Sequence, residues 1–74
     1  MKAFGYETDG NTLIKLEEIS FQVSVDDLDR MIKFFQMCRD ELDTHGVNFG
    51  HEHFKDWLRA EGYTICEVDL IVSK

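Results

Sequence analysis

Between Leu28 and Leu42 the apolar residues Leu28, Met31, Ile32, Phe35, Cys38 and Leu42 recur at spacings of three and four. That period belongs to one face of an α-helix. No other stretch sustains a helical period as long, so one amphipathic helix must organise whatever this chain folds into. Its start is marked by Ser24, a good N-cap residue, with Asp26 and Asp27 in the first turn near the positive end of the helix dipole. Gly46 is a natural stop just beyond the other end. The pattern predicts a helix from Val25 to about Asp43, supported by the i,i+4 pairs Asp26–Arg30 and Asp29–Lys33 with the acid first. Burial of Phe35 or Leu42 on that stripe should contribute about 1.5–3 kcal/mol each, and alanine at either is expected to threaten the fold.

The flanks read as strands. Lys2 to Glu7 is a candidate first strand with Phe4 and Tyr6 on one face, and Asp9-Gly10 carries a hairpin-turn signal. Thr12 to Ser24 reads as a longer second strand, in which Ile19, Phe21 and Val23 alternate with Glu18, Ser20 and Gln22. Ile14 and Leu16 have the opposite parity, which a bulge near Glu17-Glu18 would reconcile. Phe34 and Met37 lie beside the helical stripe. Val47 to Gly50 looks like a loop, and His51 to Ala60 admits a short second helix ended by Glu61-Gly62. Tyr63 to Ser73 reads as a last strand with Cys66, Val68, Leu70 and Val72 on one face and Ile65 and Ile71 on the other. The expected architecture is one small α+β domain over residues 1–74. It has two layers, a three-stranded antiparallel sheet covered by the main helix in the order β-β-α-β, with the short second helix near 51–60.

At 74 residues the core is modest, and a dimer would enlarge it. Fifteen acids against eight bases give a net charge of −7. The acidity is spread along the chain, and it disfavours nucleic acid and membrane surfaces as partners. It would attract a basic protein. It also serves simply to keep a small domain soluble. Cys38 and Cys66 fall at apolar positions, as suits free thiols in a reducing compartment, although the sequence leaves a single disulfide open. The first ten residues contain no apolar run of signal length and no segment has the length of a membrane span, so a cytoplasmic location is expected.

The stretch Asn48 to Trp57, NFGHEHFKDW, concentrates two histidines, two acids and three aromatics where regular structure is least evident. His51 and His53 flank Glu52. In an extended chain both imidazoles share one side and could reach a metal, with His45 as a third donor. No H-E-x-x-H or C-x-x-C accompanies them, and no metal or cofactor is expected. The competing reading is architectural: Gly50, His51, His53 and Phe54 shape the loop, while Phe49, Phe54 and Trp57 anchor it on the core edge. No nucleophile elbow, phosphate loop or paired-carboxylate motif supports catalysis. Asp40, Glu41 and Asp43 crowd the last turn of the main helix, where the dipole disfavours acids and Arg39 offsets them only in part. They suit a surface that meets a cation, or a solvated charge run. Partner contact is therefore assigned to Asp40, Glu41, Asp43, Glu52 and Trp57.

The β-β-α frame, the run Phe49-Gly50-His51-Glu52-His53-Phe54 followed by Asp56, and a closing Asp69-Leu70-Ile71-Val72 resemble the immunity protein 32 family of bacterial polymorphic toxin systems. The resemblance spans roughly Met1 to Val72. It departs from the family pattern between Trp57 and Thr64, where WLRAEGYT stands in place of a more irregular linker. It implies a small cytoplasmic α+β protein that binds and neutralises a cognate toxin domain and is not an enzyme. The alternative is a homodimeric structural or regulatory domain paired through a strand edge or the sheet face bearing Ile65 and Ile71. A histidine-based metal-binding protein is a third reading.

Overall fold

The fold is described by a computed structural model covering Met1 to Lys74. The element order is β1 (Ala3–Gly5), β2 (Ile14–Leu16), α1 (Val25–His45), a 3₁₀ turn (Gly46–Asn48), β3 (His51–His53), α2 (Phe54–Ala60) and β4 (Ile71–Ser73). This is an α+β arrangement with two helices. No helix is long and apolar enough to cross a membrane.

α1 begins where its cap residues dictate. The Ser24 N–H donates to Asp27 Oδ2 at 3.0 Å and the Asp27 N–H donates to Ser24 Oγ at 3.1 Å, a reciprocal capping box. Those bonds from Ser24, helped by the Arg30 charge, hold the Asp27 carboxyl below its ordinary range. The helix runs two residues past the expected Asp43. It stops at Gly46, whose φ of +38° is unfavourable for any residue with a Cβ.

The sheet differs from expectation. Two separate antiparallel pairs, β1–β2 and β3–β4, replace the single three-stranded sheet. β1 and β2 pair from Ala3–Leu16 to Gly5–Ile14, with a turn closed by Gly10 N–H to Glu7 O at 3.0 Å. The chain bends at Glu17 and leaves the ladder, so the expected bulge is absent and residues 17–23 form no strand. Of the expected last strand only Ile71–Ser73 pairs, and its neighbour is β3. His51–His53 is thus a strand, and the second helix starts three residues later than expected, at Phe54. The alternation in Ile19, Phe21 and Val23 is genuine, but the segment pairs with no other strand of the chain.

The core lies on one flank of the expected stripe. Met31, Phe34, Cys38, Phe54 and Leu58 form the buried cluster, and Phe34 is completely enclosed. Phe35, Leu28, Ile32 and Leu42 are exposed, Phe35 at 41% and Ile32 at 63%. The physical reason is the width of the cover. α1 carries apolar residues around about half its circumference, but α2 and the β3–β4 pair are narrow and shield only the Met31–Phe34–Cys38 strip. That strip lies about 90° round the helix from Leu28, Ile32 and Phe35. Phe34 is clasped between Phe54, 5.1 Å away between ring centroids, and Trp57 at 6.0 Å. Both cysteines are free.

α2 ends in a Schellman turn. The Gly62 N–H donates to Arg59 O at 3.2 Å and the Tyr63 N–H to Leu58 O at 2.9 Å, with Gly62 at φ +80°. The segment WLRAEGYT is therefore the second half of α2 and its stop.

Phe34→Ala should cost about 3–5 kcal/mol. Total stability for a domain of this length is roughly 4–11 kcal/mol, so urea titration followed by circular dichroism should find the variant unfolded or nearly so. Gly62→Ala should cost about 1–2 kcal/mol through its left-handed backbone alone, because an added Cβ there meets nothing within 4 Å.

Candidate functional site

The histidine-rich stretch is tied to the C-terminal segment by three bonds. His53 Nδ1–H donates to Asp69 Oδ2 at 2.6 Å, the Lys55 N–H donates to Asp69 Oδ1 at 3.0 Å, and the Phe54 N–H donates to Leu70 O at 2.8 Å. One carboxylate thus grips the imidazole and one of the free donors at the start of α2. The β3–β4 ladder continues the same junction, pairing His51 with Ser73, Glu52 with Val72 and His53 with Ile71. Two short stretches far apart in sequence, around His53 and around Asp69, meet here.

Asp69 is partly buried, which by itself pushes its carboxyl up. The Lys55 N–H and His53 outweigh this and hold it below the ordinary 3.8. His53 is raised above its ordinary 6.5, first by the Asp69 hydrogen bond and then, against some desolvation, by the charges of Asp69, Asp56 and Glu52.

The loop-structuring residues divide. His53 is bonded to Asp69 and Phe54 is buried in the core. His51 is exposed, with its ring edge-on to His53 at 5.2 Å. Gly50 answers no backbone demand, since its φ is not positive and an added Cβ would meet nothing within 4 Å. Gly46 makes the turn instead, and Phe49 anchors it, buried. Asp69 was missed by sequence reasoning, which placed it on the outer face of a strand. The available signal was that His53, the residue before α2, is not one of the Ser, Thr, Asp or Asn types that cap a helix well, so a cap had to come from elsewhere.

His45 sits 3.3 Å from Glu41, and His53 is committed to Asp69. No three ligand-type side chains converge to hold a metal ion.

The residues assigned to partner contact fall in three places. Asp40, Glu41 and Trp57 line one open groove of about 550 Å³ between α1 and α2, together with Lys33, Gln36, Met37, Glu61 and Tyr63. Asp43 lies on the opposite flank, in a shallow depression with Phe35, Cys38, Arg39, Leu42 and Val72. Glu52 is half-buried in β3, close enough to Cys38 for its charge to act on that thiol. Cys38 is raised above 9.0, chiefly by burial and secondly by Glu52.

The groove has an aromatic side and an acidic rim. Trp57 stacks on Phe54 at 6.0 Å with 14° between ring planes, and Tyr63 lies 5.8 Å from Trp57. The Arg30 guanidinium covers the Tyr63 ring at 4.6 Å. On the rim, Asp40 accepts from Gln36 at 3.0 Å and from Arg39 at 3.2 Å, and Arg39 also reaches Asp43 at 3.9 Å. One arginine therefore serves two carboxylates. Glu61 and Tyr63 belong to this groove only because the Gly62 turn folds the chain back beside Trp57. No family model, curated protein or solved structure matches the chain.

The pH dependence of stability follows from the signs. The raised His53 contributes stability that is complete below about pH 6.5 and is lost as pH rises through its folded value. The lowered Asp69 contributes stability present above pH 3.8 and lost as pH falls through its folded value. Melting temperature should therefore decline on the alkaline side of about pH 6.5. Asp69→Asn, which keeps an oxygen to accept the Lys55 N–H, should abolish that decline while leaving α2 in place. A variant with an unchanged profile would show that the pair is not formed.

Proposed function

We propose that this chain is a non-enzymatic binding protein of the bacterial cytoplasm that neutralises a cognate toxin domain by occupying it stoichiometrically. The observation that carries the reading is the α1–α2 groove. It sets three acids, Asp40, Glu41 and Glu61, against one base, Lys33, around Trp57, Tyr63 and Met37. An acidic rim about an apolar aromatic floor suits a basic protein surface: charge steers the encounter and the aromatics supply the anchor. The groove is open rather than enclosed, which fits a macromolecular partner better than a small substrate. The net charge of −7 and the resemblance to the immunity protein 32 family support the same reading.

Within it, Trp57 is the anchor, Asp40 and Glu41 are the steering pair, and Asp43 extends the negative field along the end of α1. Glu52 acts at one remove, through the β3–β4 junction.

Co-expression with the product of the adjacent gene is the direct test. Growth should be rescued by the native chain and lost when Asp40, Glu41 and Asp43 are changed together to lysine. With purified partners, the association rate should fall about tenfold or more as salt is raised from about 0.05 to about 0.5 M. A rate indifferent to ionic strength would remove the acidic rim from the mechanism. Trp57→Ala should act mainly on dissociation.

A further inference from the structure

None of the six buried residues precedes Met31, and the first 24 residues leave Phe4, Tyr6, Leu13, Ile14, Ile19, Phe21 and Val23 exposed. The main-chain N–H and C=O groups of residues 17–23 make no backbone hydrogen bond. Yet Ile19, Phe21 and Val23 have the alternation of a strand with one covered face. Directly after them, α1 presents Leu28, Ile32 and Phe35 in a second exposed stripe. A strand face and a helix stripe of matching character thus lie next to one another in sequence, and both are left about half exposed, from Val23 at 39% to Ile32 at 63%.

We propose that these two surfaces form a symmetric interface with a second copy of the chain, each copy laying its 18–23 segment on the outer stripe of α1 in the other.

The area identifies the occupant. A folded monomer of 8.7 kDa should expose about 4,700 Å², whereas this chain exposes 6275 Å². The surplus over the whole chain is about 1,500 Å²; an interface that took up most of it in both copies would fall in the range of roughly 2,000–5,000 Å² found for obligate homodimers. Such interfaces resemble a domain core cut in half, which describes a sheet face and a helix stripe. The shape agrees: the extents are 33 × 30 × 19 Å and the radius of gyration is 13.1 Å, against about 11 Å for a compact chain of this length.

The joint explains why the partner is another copy and not the same helix. Ser24 alone separates Val23 from the first residue of α1, and its φ of −91° and ψ of 173° are extended and held by the capping box. A connection that returns a strand along its own following helix usually takes 2–6 residues. With no slack, Ile19, Phe21 and Val23 cannot fold back onto Leu28, Ile32 and Phe35 of their own chain. Short hinges of this kind favour exchange between copies.

The surface is separate from the acidic groove, and the interaction has the opposite salt dependence. Two chains each carrying −7 repel, so self-association should tighten as salt rises, whereas capture of a basic partner weakens.

Sedimentation equilibrium of the full chain, from about 1 to about 200 μM, should give twice the 8.7 kDa chain mass, and the urea midpoint should rise with protein concentration. Phe21→Asp and Ile32→Glu change residues that are 47% and 63% exposed in the single chain. Each should weaken dimerisation by about tenfold or more while retaining the helical circular dichroism. A monomer mass throughout the range, a urea midpoint independent of concentration, or a dimer unaffected by both substitutions would each overturn the proposal. So would a strict monomer whose 18–23 amides are protected from hydrogen exchange, since that would mean the segment closes on its own helix. The midpoint measurement needs no variant and stands even if a substituted chain fails to fold.

Discussion

A helix of seven residues does not hold together in water, because the cost of its first turn is recovered only over a longer run. α2 persists because Asp69 and Leu70 take up the Phe54 and Lys55 N–H groups at its start, and because Gly62 closes its end. With both ends fixed, Phe54 and Leu58 are delivered to Phe34, and the only well-buried cluster in the chain is complete. The same junction carries the β3–β4 ladder and sets one wall of the acidic groove. Core, sheet and groove therefore depend on two oxygen acceptors, the Asp69 side chain and the Leu70 carbonyl, placed opposite the start of a short helix.

The sequence was most legible where local chemistry decides structure. Ser24, Gly46 and Gly62 mark helix ends through backbone and capping geometry that needs no distant partner, and each acts where its residue type indicates. The choice of core face was not local. The apolar arc of α1 is wide enough to admit two packing faces, and only the width of its cover selects Phe34 over Phe35. For the same reason the strand alternation of Ile19, Phe21 and Val23 did not yield a third strand: alternation states that a face wants covering and does not say by what. Asp69 was illegible in a different way. Its role is set by a contact across sixteen positions with His53, and period-two reading assigns any acid in such a run to solvent.

Of the five residues chosen for partner contact, three share a groove and two do not. Asp40 and Glu41 are one turn of α1 from Met37, so helical geometry brings them to Trp57. Asp43 is rotated away by the same geometry, and only its bond to Arg39 keeps it electrically linked to Asp40. Reading acids as a cluster because they are close in sequence overlooks the 100° advance per residue of a helix.

Cys38 has a use that follows from its surroundings. Its thiol is enclosed by the core, and both the lost hydration and the neighbouring Glu52 carboxylate keep it protonated. A protonated, shielded sulfur is a poor nucleophile. Alkylating reagents therefore reach it chiefly during excursions that part α1 from the β3–β4 pair, where Val72 and Glu52 lie beside it, and the native molecule contains its own clock for how often that seam comes open.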